Sequence, residues 1–89
     1  MQAKIWNHSK WIKEVDPLIL KKFFLKQLKK AGFEIINISE HYFKPNGYTC
    51  LFLLSESHFA IHTFPEQGKT YIQISSCNKE MYIKFLINT

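Results

Sequence analysis

Apolar residues between positions 18 and 31 follow a helical repeat, with Leu20, Phe24, Leu28 and Ala31 spaced by four, four and three. Asp16 can accept hydrogen bonds from the free N–H groups of a first turn, and Pro17 suits the first helical position, where no N–H is needed. Gly32 supplies a natural stop. The pattern predicts a helix over 18–31. Beyond it the chain turns β-rich: runs over 33–38, 48–54, 59–62 and 70–76 carry β-branched and aromatic residues and are separated by Pro45-Asn46-Gly47, by Glu56-Ser57 and by 65–68. These read as four strands joined by short links. Lys4-Ile5-Trp6 begins another, which Asn7-His8-Ser9 breaks early. Residues 80–86 are apolar on alternate and on helical spacings alike, so their element stays undecided. The expected fold class is α+β, a two-layer sandwich in which an antiparallel β-sheet is covered by helices on one face.

Length and charge narrow this picture. With 89 residues the chain is expected to be a single domain, 1–89. A chain of this size buries only about 60–65 % of its extended surface, so a partner subunit is expected, although the aromatic residues offset part of the deficit. The net charge is +5, and five of the twelve lysines (Lys21, Lys22, Lys26, Lys29 and Lys30) decorate the predicted helix. That is the charge of a solvated helix face. There is no Arg, the residue of the commonest specific base contact, so nucleic acid is not the expected partner. The longest apolar runs, such as Leu51-Phe52-Leu53-Leu54, are far shorter than the roughly 20 residues that span a bilayer. No membrane association is expected. Two cysteines, Cys50 and Cys77, are too few for a disulfide scaffold and read as free thiols in a reducing cytoplasm.

Reactive side chains concentrate between 55 and 77: Ser55, Glu56, Ser57, His58, His62, Thr63, Glu66 and Cys77. On a strand, His58 and His62 share a face but lie about 13 Å apart along it, too far for one zinc ion, so no metal site is expected. A Cys77–His62 nucleophile pair is chemically open, because spacing alone neither establishes nor removes it.

The run Leu54-Ser55-Glu56-Ser57-His58-Phe59-Ala60-Ile61-His62-Thr63-Phe64-Pro65-Glu66, followed by Ile74-Ser75-Ser76-Cys77, resembles the signature of the small prokaryotic S-adenosylmethionine decarboxylases. That family shows a Ser-Glu-Ser-His opening, an Ile-His-Thr-Trp-Pro-Glu continuation and a Cys at the end of the next strand. The resemblance spans 43–77 and keeps the family's interval from Ser57 to His62 to Cys77. His41-Tyr42-Phe43-Lys44-Pro45-Asn46-Gly47 is similar to its His-x-Phe-x-Pro-x-Gly segment. Phe64 replaces the usual Trp, Asn78 the usual Gly after the Cys, and Gln73 a common acidic residue.

The resemblance implies a precursor that cuts its own backbone between Glu56 and Ser57, giving a β chain of 1–56 and an α chain of 57–89 that begins with a pyruvoyl group made from Ser57. Serine fits because it supplies both the nucleophile and the β-leaving oxygen. By resemblance His62 is the base of the elimination, Thr49 a processing helper in place of a family serine, and Cys77 the acid that returns a proton during decarboxylation. Phe43 and Phe64 would stack on adenine, and Glu66 would hold the ribose hydroxyls. The implied substrate is S-adenosylmethionine, the implied product the aminopropyl donor for spermidine synthesis, and the implied assembly a homodimer. The chain ends soon after Cys77, and the sheet surface left bare by missing elements is one that a dimer partner could cover. Two alternatives accompany this reading: an unprocessed, non-catalytic relative acting as a binding or regulatory subunit, and a pyruvoyl decarboxylase acting on another amino acid such as arginine or ornithine.

Overall fold

The computed structural model describes residues 3–89. Five strands and two helices follow in the order β1 (Trp6–Ile12), α1 (Pro17–Lys30), β2 (Ile35–Tyr42), β3 (Tyr48–Leu54), β4 (Ser57–Phe64), β5 (Lys69–Ser76) and α2 (Lys79–Ile87). The strands form one antiparallel sheet in the order β1-β5-β4-β3-β2, with both helices on one face. The α+β two-layer class expected from the pattern is the fold observed.

The first helix begins and ends as its sequence dictates. Asp16 Oδ1 accepts from the N–H groups of Leu18 and Ile19 at 2.9 and 3.2 Å. At the other end Gly32 adopts φ +102°, its N–H donates to the Lys29 carbonyl, and the Phe33 N–H donates to the Leu28 carbonyl. That pair of bonds closes the helix as a Schellman motif and carries Phe33 into the core. Leu20, Phe24 and Leu28 of α1 pack on the sheet beside Phe85 of α2. Phe24, Phe59 and Phe85 meet at centroid separations of 4.9 to 6.4 Å. Truncating such a ring to Ala costs about 3–5 kcal/mol.

Alternation in the strands assigns every side chain to a face. Tyr48, Cys50, Phe52 and Leu54 of β3, Phe59 and Ile61 of β4, and Ile72 and Ile74 of β5 point to the helices and are buried. The residues between them point to a face that no helix covers. Leu51, Leu53, Trp11 and Phe64 stand exposed there.

Several boundaries depart from the sequence pattern, among them β4, which runs over Ser57–Phe64 rather than 59–62 and takes Ser57 out of the expected link. The first strand does not stop at Asn7-His8-Ser9; it runs to Ile12, paired with β5 from Trp6–Ser76 to Ile12–Thr70. It is an edge strand, so polar side chains at these positions stay in water. The second strand begins at Ile35 and extends through Ser39-Glu40-His41, exposed positions on the other edge, with a bulge between Ile35 and Asn37. The undecided tail is helix α2, capped by Asn78 Oδ1 accepting from the Met81 N–H at 3.0 Å. None of the described helices is long and apolar enough to cross a membrane.

Candidate active site

The β3–β4 hairpin turns on Ser55 and Glu56, directly before Ser57. Glu56 has φ +62°, the left-handed region that a non-glycine residue enters only at a cost of order 1–3 kcal/mol. A turn this tight, closed by the Leu54–Ser57 pair, forces that conformation on the residue whose carbonyl joins Ser57.

Opposite the turn lies the end of β5. Ser57 pairs across the ladder with Ser76, and the Ser57 hydroxyl donates to Ser76 Oγ at 2.7 Å. The next residue, Cys77, is exposed, and both its thiol (Sγ–O 2.9 Å) and its backbone N–H (3.5 Å) are directed at the Glu56 carbonyl oxygen. Two donors on one carbonyl oxygen stabilise negative charge developing there. The Glu56 side chain lies near the same thiol, with Oε2 3.7 Å from Sγ. An open cleft of about 300 Å³ adjoins this group, lined also by Leu53, His58 and Ser75 from the uncovered face of the sheet.

A second cluster sits at the other end of the sheet. Thr49 and His62 are cross-strand partners on the uncovered face, with Thr49 Oγ1 3.2 Å from His62 Nδ1. Around them Phe43, Phe64 and Glu66 line a cleft of about 320 Å³. Glu66 belongs to a single 3-10 turn, Pro65–Gln67, begun by Pro65 and closed by left-handed Gly68. Phe43 is held by its N–H donating to the Gly47 carbonyl at 2.9 Å. Gly47 has φ +120°, and a Cβ there would meet Phe43 Cβ at 3.4 Å, so this turn requires glycine. Phe64 packs on Trp11, which in turn meets Tyr71 and lies under the Lys69 ammonium.

The site residues singled out in the sequence thus fall into two groups. Glu56, Ser57 and Cys77 are brought together; Phe43, Thr49, His62, Phe64 and Glu66 are brought together elsewhere. Ser57 and His62 lie five residues apart on one strand, which separates them by about 16 Å and points them to opposite faces. The same separation keeps Cys77 from His62, so no Cys–His pair forms within a chain. Among the described residues, no three His, Cys, Asp or Glu side chains converge to hold a metal ion. Sequence reasoning passed over Ser76 and Trp11. Both are placed by cross-strand register, which residue spacing along the chain does not reveal.

The chain is similar to known proteins in sequence and in fold. The family model described as S-adenosylmethionine decarboxylase matches residues 8–88. The S-adenosylmethionine decarboxylase proenzyme of Prochlorococcus marinus (strain MIT 9313) is 37 % identical over 65 residues, which cover 73 % of this chain and 52 % of that protein. The proenzyme of Geobacillus sp. (strain WCH70) is 40 % identical over 62 residues, 70 % of this chain and 50 % of that protein. The chain spans about half the length of these curated relatives. In fold it is similar to the crystal structure of the adenosylmethionine decarboxylase from Aquifex aeolicus VF5, at a TM-score of 0.79 and 20 % identity, over 98 % of this chain and 78 % of that one. With the family model matched along almost its whole length, this chain belongs to the S-adenosylmethionine decarboxylase family.

Proposed function

We propose that the chain is the self-cleaving precursor of a pyruvoyl-dependent S-adenosylmethionine decarboxylase that yields the aminopropyl donor for spermidine synthesis. The observation that carries the reading is the Glu56–Ser57 junction: a left-handed Glu56, a serine hydroxyl next in the chain, and two Cys77 donors on the carbonyl between them. Attack by Ser57 Oγ on the Glu56 carbonyl carbon forms a C–O bond and breaks the C–N bond, and the hydroxyl proton ends on the Ser57 nitrogen. Cys77 stabilises the oxygen that gains charge. Removal of the Ser57 Cα proton then expels residues 1–56 as a carboxylate, and hydrolysis with loss of ammonia leaves the pyruvoyl group on residue 57. The residues fit that group, because Ser57 supplies every carbon of it and Cys77 stands beside it. When present, the group supplies the electron sink that accepts the carbanion left by carbon dioxide loss.

Removing the Cα proton takes a base, a role suited to the His62 imidazole held by Thr49. His62 is out of reach of Ser57 in its own chain. A second copy brings it: a two-fold axis running across the strands between two facing sheets lays the Ser57 end of one over the His62 end of the other. The uncovered face supports this, since Leu51, Leu53, Trp11 and Phe64 give it an apolar surface to bury. The resulting homodimer has two composite sites. In each, Phe43 and Phe64 offer flat faces for adenine and Glu66 a carboxylate for the ribose hydroxyls, so that the substrate's reacting carbon meets Cys77 of the other chain.

Denaturing mass spectrometry of the purified protein tests the reading. Two fragments meeting between Glu56 and Ser57 are expected, with the second beginning in a carbonyl group rather than an amine. An intact chain of 10.6 kDa that still binds S-adenosylmethionine would mark a non-catalytic relative instead. Release of labelled carbon dioxide from S-adenosylmethionine, and not from arginine or ornithine, fixes the substrate.

A further inference from the structure

Ser76 lies directly across the ladder from Ser57, and both side chains turn to the helix-covered side, where Ser57 is 7 % and Ser76 1 % exposed. The Ser57 hydroxyl donates to Ser76 Oγ at 2.7 Å. Ser76 is itself fixed from behind: the Asn78 N–H donates to its Oγ at 3.0 Å, and its own hydroxyl lies 3.3 Å from the Asn78 carbonyl oxygen. Asn78 in turn caps α2 through the Met81 N–H. The residue after Ser76 is Cys77, which grips the Glu56 carbonyl. Two consecutive residues at the end of β5 therefore hold the two groups between which the new bond forms.

We propose that Ser76 is a positioning residue for the acyl shift, holding the Ser57 hydroxyl by accepting its hydrogen bond. The proposal rests on the self-cleavage reading above. A serine side chain has three staggered rotamers, and a buried acceptor at a fixed place selects one of them. Donating that bond points the hydroxyl proton at Ser76 and leaves the oxygen lone pairs free for attack on the carbonyl carbon. Ser76 gains and loses no proton overall, since the Ser57 hydroxyl proton ends on the Ser57 nitrogen.

Ser76→Thr and Ser76→Val differ only in the hydroxyl, and the appearance of the 57–89 fragment in the full chain distinguishes them. S76T is expected to cut within about threefold of the wild type, and S76V about 10- to 100-fold more slowly, the range of a lost buried hydrogen bond acting on a rate. Hydroxylamine, which cuts an accumulated ester, separates the steps: it leaves S76V slow if Ser76 serves ester formation. Rescue of S76V by hydroxylamine, or a Thr variant as slow as the Val variant, would overturn the role. Should S76V not fold, S76A replaces it in the same comparison. A wild-type chain that stays whole overturns the self-cleavage reading and this proposal with it. A cut wild type beside a folded S76V or S76A chain cut at the same rate overturns the role of Ser76 alone.

Discussion

The Cys77 thiol donates to the carbonyl oxygen of Glu56 over 2.9 Å, from a position 21 residues further along the chain. Sheet register makes this contact. Because β4 and β5 pair from Ser57–Ser76 to Phe64–Lys69, the first residue past β5 lands beside the last residue before β4. A chain that reads as one linear motif thus closes on itself at the bond it is proposed to break.

Removing that donor tests its part in cleavage. Cys77→Ala keeps the backbone N–H on the carbonyl but loses the thiol, and self-cleavage is expected to slow about 10- to 100-fold, at the modest end for an oxyanion donor because the N–H remains. Cys77→Ser restores a donor and should recover most of the cleavage rate. Time courses of fragment formation on denaturing gels read both.

Sharing of the site between copies predicts complementation. Ser57→Ala and His62→Ala chains expressed alone should each stay whole. Expressed together, the tagged His62→Ala chain should be cut, because its intact Ser57 meets an intact His62 from the other variant; with random pairing of equal amounts, about half of those chains find such a partner. A His62→Ala chain left uncut in the mixture would mean that the copies do not share a site.

The bare sheet face predicts that assembly and cleavage fail together. Leu51 is 47 % exposed in the middle of β3, away from the Ser57 cleft, and Leu51→Glu places a charge where a facing sheet would bury it. Sedimentation of the wild type should give a dimer and of the variant a monomer, with self-cleavage lost in the monomer.

Acid sensitivity is set at a different place. The buried Tyr48 hydroxyl donates to Glu40 Oε1 at 2.6 Å, and the Lys21 ammonium of α1 lies 3.0 Å from the same oxygen. The Tyr48 hydrogen bond first, and then that of Lys21, hold the Glu40 carboxyl below the ordinary value of 4.5. The unfolded chain therefore takes up this proton first as pH falls, so the stabilisation is complete above about pH 4.5 and is lost as pH drops through the lowered value. Glu40→Ala removes that dependence and leaves the Tyr48 hydroxyl unpaired, at a cost of about 1–3 kcal/mol at neutral pH. Thermal melts from pH 7 down to pH 3 should show the two proteins converging.

The substrate role proposed for the second cleft predicts a change in affinity. Glu66→Gln keeps the size of the side chain and loses its charge, and Phe43→Ala removes a stacking face; each should raise KM for S-adenosylmethionine about tenfold. Both should leave self-cleavage near the wild-type rate, since neither residue has a part in the proposed acyl shift or in the elimination.

Much of this was legible before the structure. The α1 face, its caps and the strand β3 follow from strong periodicity and from residues with one conformational use, Asp16, Pro17 and Gly32. The edge strands were harder, because Asn7, His8 and Ser9 in β1 and Ser39 and His41 in β2 bury little, and only the ladder holds them extended. Residues 80–86 carry apolar side chains all round while burying mainly Phe85, so no single period stands out. The candidate site residues came from the family resemblance, and their division into two groups was not legible in it. Residues five positions apart look adjacent on paper, whereas a strand carries Ser57 and His62 to opposite ends and faces of the sheet.

The hairpin that holds Glu56 joins two neighbouring strands in the middle of the sheet, and a cut there has a consequence for folding. The fragment 57–89 would carry β4 and β5, wedged between β3 and β1 of the fragment 1–56 and hydrogen-bonded to both. The nicked molecule would hold together without the bond. Once unfolded, however, its two pieces must find each other by diffusion, so refolding becomes dependent on concentration, while the uncut chain folds by a unimolecular route. Cleavage at this turn would make assembly a one-way event: the uncut chain would be the form that folds, and the cut one a form that could not easily fold again.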